Sequence, residues 1–185
     1  MAGKLMHLSA RWLATIALAL AAASALAQPQ PRFGLSPEAY AVFNRWMLAS
    51  CIGGDERALA VALRRYPQPL TRAFGQAIRD GPSAEELADV RAGAEARYEA
   101  RAKFPLSEFR IAGVSDEDLA RFNRTSRQEY VDDQVRRFAA GYRSNAVAGL
   151  GVIGGAAARS VLTRIANDRR DPLAPVAREA LKSSR

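Results

Sequence analysis

Ser36-Pro37-Glu38-Ala39-Tyr40-Ala41-Val42-Phe43-Asn44-Arg45-Trp46-Met47-Leu48-Ala49-Ser50-Cys51 decides the fold class. Ser36 is placed to cap a helix, and Pro37 fits the first helical position, where a missing N–H costs nothing. Ala39, Val42, Phe43, Trp46, Met47 and Ser50 then recur at spacings of three and four, the period of a helix with one buried face. Gly53-Gly54 closes this helix, and Asp55 can cap a second one through Leu59, Ala62 and Leu63 to Tyr66. Pro67 and Pro69 interrupt the chain, and a third helix is expected from Leu70 to about Arg79. Ser83 with Glu86 forms a capping box for a longer helix ending near Lys103. The pattern is lost from Phe104 to Val114, the expected irregular loop. Ser115-Asp116-Glu117-Asp118 restarts the helix with three acids against its positive dipole end. Tyr130, Val131, Val135, Phe138, Ala139 and Tyr142 follow as one aromatic stripe of core type. No alternating run of strand length occurs. The expected fold is all-α, a single domain over 36–185 with about seven helices.

Upstream of that domain, Lys4 and Arg11 precede an apolar stretch from Trp12 to Ala23, and Ala25-Leu26-Ala27 supplies small residues before Gln28. This predicts a secretory signal peptide over 1–27, and the apolar stretch is shorter than the roughly 20 residues of a spanning helix. The expected location is periplasmic or secreted, with no transmembrane segment after cleavage. Residues 28–35, with Pro29, Pro31 and Gly34, are expected to be a mobile Pro-rich tail. Leu48-Ala49-Ser50-Cys51 imitates a lipoprotein processing box, but Pro37, Glu38 and Arg45 interrupt the apolar segment that such a box requires. Cys51 is the single cysteine, so no internal disulfide is available, and a buried small side chain is its expected role.

The formal net charge is +8, and the two cations of the leader account for part of it. Acids are interspersed with bases almost everywhere, as in Asp132-Asp133 before Arg136-Arg137. This is the pattern of a solvated mixed surface.

The chain also resembles itself. Cys51-Ile52-Gly53-Gly54 followed by Arg57-Ala58-Leu59 matches Val152-Ile153-Gly154-Gly155 followed by Arg159-Ser160-Val161, and Pro69–Ile78 aligns with Pro172–Leu181. Each copy reads as a helix, a Pro-containing turn and a second helix. Such a pair cannot bury both apolar faces alone. Over Arg143–Lys182, Ala148-Gly149-Leu150-Gly151-Val152-Ile153-Gly154 and Asp171-Pro172 before Val176 and Ala180-Leu181 resemble the HEAT-like helical repeats of the short bacterial type. The copy at Cys51–Ile78 resembles them weakly. The resemblance implies helix-pair units at the ends of the domain, and such repeats offer a groove that commonly serves as a binding surface. The small residues fit close helix approach, and Gly154 fits a helix end that needs positive φ.

Chemistry is narrowed by elimination. His7 is the only histidine and lies in the predicted leader, so serine–histidine and cysteine–histidine hydrolysis are excluded, as are histidine zinc sites. Lys103 and Lys182 are the only lysines after the leader, and Ser183 beside Lys182 lies too near the chain end for a catalytic pair. No metal or cofactor is expected: Asp116-Glu117-Asp118 lacks the glycine of a calcium loop, and Gly149, Gly151, Gly154 and Gly155 follow no strand. Glu129, Asp132 and Asp133 beside Tyr130 keep a carboxylate-dependent envelope glycan hydrolase open as the alternative, which would need two carboxyl groups about 5–10 Å apart in a cleft. The favoured expectation is a non-enzymatic exported binding or scaffold protein for a protein or anionic envelope partner. Export argues against nucleic acid, and a toxin-neutralising or stress-related binder is a further form of this reading. The candidate binding residues are Arg64, Arg65, Arg169 and Arg170, at corresponding helix ends of the two copies, where they would share one rim.

Overall fold

A computed structural model describes residues 31–48, 56–103 and 115–184. The predicted leader, Cys51, Gly53-Gly54, Asp55 and the expected loop from Phe104 to Val114 lie outside these residues. The chain divides after Arg32, and the unit Phe33–Arg185 carries every helix described below.

Eight helices and no strand are present among the described residues: α1 Pro37–Met47, α2 Glu56–Leu63, α3 Pro67–Asp80, α4 Ala84–Lys103, α5 Asp116–Arg124, α6 Arg127–Ile153, α7 Gly155–Asn167 and α8 Ala174–Ser183. The protein is all-α. No helix among the described residues is long and apolar enough to cross a membrane.

Local signals account for most of the helix starts. The Ser36 hydroxyl accepts from the Ala39 N–H at 3.3 Å. Ser83 and Glu86 form the reciprocal box, with the Ser83 N–H donating to Glu86 at 2.6 Å and the Glu86 N–H to Ser83 at 3.1 Å. Ser115 accepts from the Asp118 N–H at 3.1 Å. The prolines correct the expected start of α3: the helix begins at Pro67, with both Pro67 and Pro69 inside its first turn, where N–H groups have no intrahelical partner. The second helix stops at Leu63 rather than Tyr66, because Arg65 and Tyr66 donate to Ala62 and Leu63 three residues back. An unexpected break separates α5 from α6 at Ser126. Its hydroxyl accepts from the Glu129 N–H at 3.2 Å, and the Ser126 N–H donates to the Glu129 carboxylate at 2.8 Å.

That box is sensitive to pH. The backbone N–H and then the hydroxyl of Ser126 hold the Glu129 carboxyl below the usual glutamate range. The folded state favours the charged form, so the stabilisation is complete above the ordinary glutamate pKa and is lost as pH falls through the depressed value. Ser126→Ala should cost about 1 kcal/mol. Protection of the first amides of α6, taken relative to their intrinsic exchange rate at each pH, should fall in that variant at neutral pH and in the native chain only in acid. Equal protection in both proteins at neutral pH would remove the cap from the account.

α6 is the spine, packing against α1, α2, α3, α4, α7 and α8. Its 27 residues span about 40 Å at 1.5 Å each. Its second half lies in the core with Phe43, Trp46, Leu63, Leu70, Phe74 and Leu162, all buried. Its first half pairs with α4 in an arm whose own seam contains buried Ala94 and Val131 and the Tyr98–Tyr130 ring contact at 5.6 Å. The aromatic stripe of the sequence is therefore shared between two environments: Tyr130 serves the arm, whereas Tyr142 serves the core. Arg127 joins α6 to Glu95 and Glu99 of α4 at 3.3 and 3.1 Å, and Arg91 meets Asp132 at 3.5 Å. These exposed pairs stabilise weakly.

The expected tail over 28–35 needs correction at its end. Leu35 is buried, and the Phe33 ring stands edge-on to Phe43 at 5.2 Å. Phe33 and Gly34 both take positive φ, 61° and 62°, turning the chain so that the ring reaches the core. The left-handed conformation costs a non-glycine residue about 1–2 kcal/mol, which the contact of the half-buried Phe33 ring with buried Phe43 helps to offset. Pro and Gly around Phe33 hid that contact from a reading of composition.

Candidate functional site

Arginine has a structural use that no local pattern announces. Arg64 Nε donates to the Val152 carbonyl at the end of α6 at 3.0 Å, Arg143 Nε to the Ile78 carbonyl in the last turn of α3 at 3.2 Å, and Arg178 Nη1 to the Ala166 carbonyl in the last turn of α7 at 3.1 Å. The last carbonyls of a helix lack intrahelical partners and carry its negative dipole end, so a guanidinium from a neighbouring helix answers both needs. Trp46 and Asn145 make the equivalent clamp from α1 to α6. The indole N–H donates to the Asn145 carbonyl at 2.6 Å, and the Asn145 amide donates to the Met47 carbonyl at 3.0 Å.

One of these arginines also lines an open cavity among the described residues. A groove of about 780 Å³ lies between the end of α3, the middle of α6 and the turn joining α7 to α8. Its floor is Ala139 and Ala140, its walls include Ile78 on one side and Pro172 and Leu173 on the other, and Arg79, Arg136, Arg143 and Arg170 surround it. Arg143 is half-buried and its Nε is committed to Ile78, which fixes the root of its guanidinium. Arg79, Arg136 and Arg170 are exposed. The groove's two acids serve its turn: Asp168 Oδ1 accepts the Arg170 N–H at 2.9 Å, and Asp171 Oδ1 accepts the Leu173 N–H at 2.8 Å. Arginines from three elements thus surround an apolar floor, an arrangement that can attract an anionic group.

Of the four arginines that the sequence singles out, Arg170 lines this groove. Arg169 is exposed in the same turn, and Arg64 and Arg65 are exposed just beyond α2. Arg64 meets α6 at Val152, about 12 Å along the axis from Ser144 at the near end of the groove. The structure groups Arg170 instead with Arg79, Arg136 and Arg143. Sequence reading missed these three because they are far apart in the chain. The one available signal was the set Arg136, Ala139, Ala140 and Arg143, which shares a helix face.

The acidic group Glu129, Asp132 and Asp133 is engaged otherwise. Glu129 closes the Ser126 box, Asp132 pairs with Arg91, and Asp133 accepts Arg137 at 2.6 Å and Arg136 at 3.5 Å. Among the described residues no three Cys, His, Asp or Glu side chains converge as a metal site would require.

The fold and groove define an all-α protein with a cationic, apolar-floored cleft beside a central helix. Comparison with protein-family models, with curated proteins and with solved structures finds no match for the chain.

Proposed function

We propose that this is a non-enzymatic binding or scaffold protein of the cell envelope that holds an anionic polypeptide partner in the groove between α3, α6 and the α7–α8 turn. The observation that carries the reading is that Arg79, Arg136, Arg143 and Arg170 line one cleft in which the two acids, Asp168 and Asp171, each accept a backbone N–H through one oxygen, so that cations exceed acids four to two. The signal-peptide reading of residues 1–27 places the partner outside the cytoplasm, and neutralisation of a toxin would be one form of such binding. The engagement of Glu129, Asp132 and Asp133 in caps and ion pairs favours binding over carboxylate hydrolysis.

We also assign Arg143–Lys182 to the HEAT-like type. Support comes from the close packing of α7 on α8 and from Gly151, where an added Cβ would stand 2.9 Å from the Ala180 Cβ and 3.0 Å from its carbonyl oxygen. The earlier copy is looser, since α2 and α3 each pack on α6 and α1 rather than extensively on one another.

The test is fluorescence anisotropy of a labelled Glu-rich peptide against protein beginning at Gln28, over a range of salt. Saturable binding is expected, and reversal of Arg79 and Arg136 to glutamate should weaken it by about tenfold or more. Reversal of Arg65 and Arg169 should leave it nearly unchanged. Equal weakening by both pairs would point to nonspecific attraction and overturn the assignment to the groove.

A further inference from the structure

We infer that the occupant of this groove is an amphipathic α-helix of a protein partner, carrying two acidic residues seven positions apart with small or apolar residues between them. The inference rests on the groove reading above and specifies it. Arg136 and Arg143 are seven residues apart on α6, with Ala139 and Ala140 between them at helical i+3 and i+4. These four residues make one stripe, with Arg136, which also meets Asp133 at 3.5 Å in an exposed pair, at one end of a floor of methyl groups and Arg143 at the other. The two arginine Cα atoms are about 10.5 Å apart along the axis, a separation reproduced by carboxylates at i and i+7 of a second helix lying along the first. Side chains as small as alanine allow helix axes to approach to about 8 Å, which brings the partner's apolar stripe onto the floor.

The walls distinguish this occupant from other anions. Ile78 with Arg79 and Pro172 with Leu173 and Arg170 flank the floor, making a shallow, open trough. A membrane surface would meet the exposed arginines whatever their spacing along α6. A single phosphate would need its donors gathered within a few ångströms, whereas Arg136 and Arg143 are about two helical turns apart. A helix can fill the trough with apolar contact and answer both charges, which is the helix-in-groove mode of recognition. Arg143 is held in advance by Ile78, so less of its side-chain freedom is lost on binding.

The experiment uses two helix-forming peptides of identical composition, with their glutamates seven positions apart in one and five apart in the other, and vesicles containing phosphatidylglycerol as a third arm. Affinity is measured for the native protein, for Arg136→Glu and for Ala140→Leu. Both substitutions are at exposed positions, and Ala140→Leu fills the floor without changing charge. The seven-spaced peptide should bind about tenfold more tightly than the five-spaced one, and each substitution should remove most of that preference. Equal binding of the two peptides, still lowered by Arg136→Glu, would overturn the helical register while leaving the anionic-polypeptide reading intact. Binding to the vesicles alone, or to none of the three probes, would overturn both.

Discussion

Phe74→Ala should remove about 3–5 kcal/mol, a large share of the roughly 5–15 kcal/mol by which domains are stable. The Phe74 side chain is fully buried, its ring lies 5.1 Å from that of Phe43, and it meets α6 where that helix has no side chain, at Gly149. A Cβ added at Gly149 would stand 2.6 Å from Phe74 Cζ and 2.9 Å from Trp46 Nε1. Helix propensity alone favours alanine there by about 1 kcal/mol, whereas overpacking costs about 1–3 kcal/mol. The packing cost should win, because the neighbours cannot yield: the indole is tethered to the Asn145 carbonyl and the phenyl ring is enclosed by the core. Gly149→Ala should therefore destabilise the native protein but cost less, or even stabilise, once Phe74 is alanine. Urea unfolding of the two single variants and the double variant measures that coupling. Strict additivity would show that α3 and α6 are not locked together by this contact.

What was legible in the sequence was what is local. Ser36, Ser83 with Glu86, and Asp116-Glu117-Asp118 announce helix starts because a cap involves residues within three or four positions of one another. Ser126 with Glu129 has the same form, yet it lies between the Asp116-Glu117-Asp118 start and the aromatic stripe, where the sequence reading placed no break. The aromatic stripe from Tyr130 to Tyr142 was legible as apolar, but nothing in its period shows that α4 covers one end and the core the other. Phe33 and Leu35 failed for a related reason: two apolar residues among Pro and Gly acquire meaning only when the turn aims them at Phe43.

The candidate site was legible only through Arg170. Its other arginines come from α3 and α6, and their meeting depends on the angle between helices, which no spacing in the chain encodes. Arg64 illustrates the converse. Its position beyond α2 made it a candidate for binding, whereas its Nε lies on the Val152 carbonyl, a partner 88 residues away.

Gly81→Ala should affect both the fold and the groove, and Gly154→Ala the fold alone. Both glycines end a helix, α3 and α6 respectively, with nearly the same backbone: φ 72° and ψ −164° at Gly81, φ 68° and ψ −157° at Gly154. That region belongs essentially to glycine, so an alanine at either place should cost about 1–3 kcal/mol. Their neighbours differ. A Cβ at Gly81 would lie 2.8 Å from Arg143 Nη2 and 3.1 Å from its Cζ, whereas at Gly154 the nearest atom is the Ser184 carbonyl oxygen at 3.7 Å. The guanidinium can swing away at little steric cost, but doing so draws Arg143 Nε off the Ile78 carbonyl and out of its place in the groove. Thermal unfolding should show similar losses for the two variants, while affinity for the seven-spaced acidic peptide falls several-fold in Gly81→Ala and holds in Gly154→Ala. Because the two substitutions share their backbone penalty, a difference in binding isolates the placement of Arg143. Equal affinities at matched stability would mean that the groove does not depend on where that guanidinium is held.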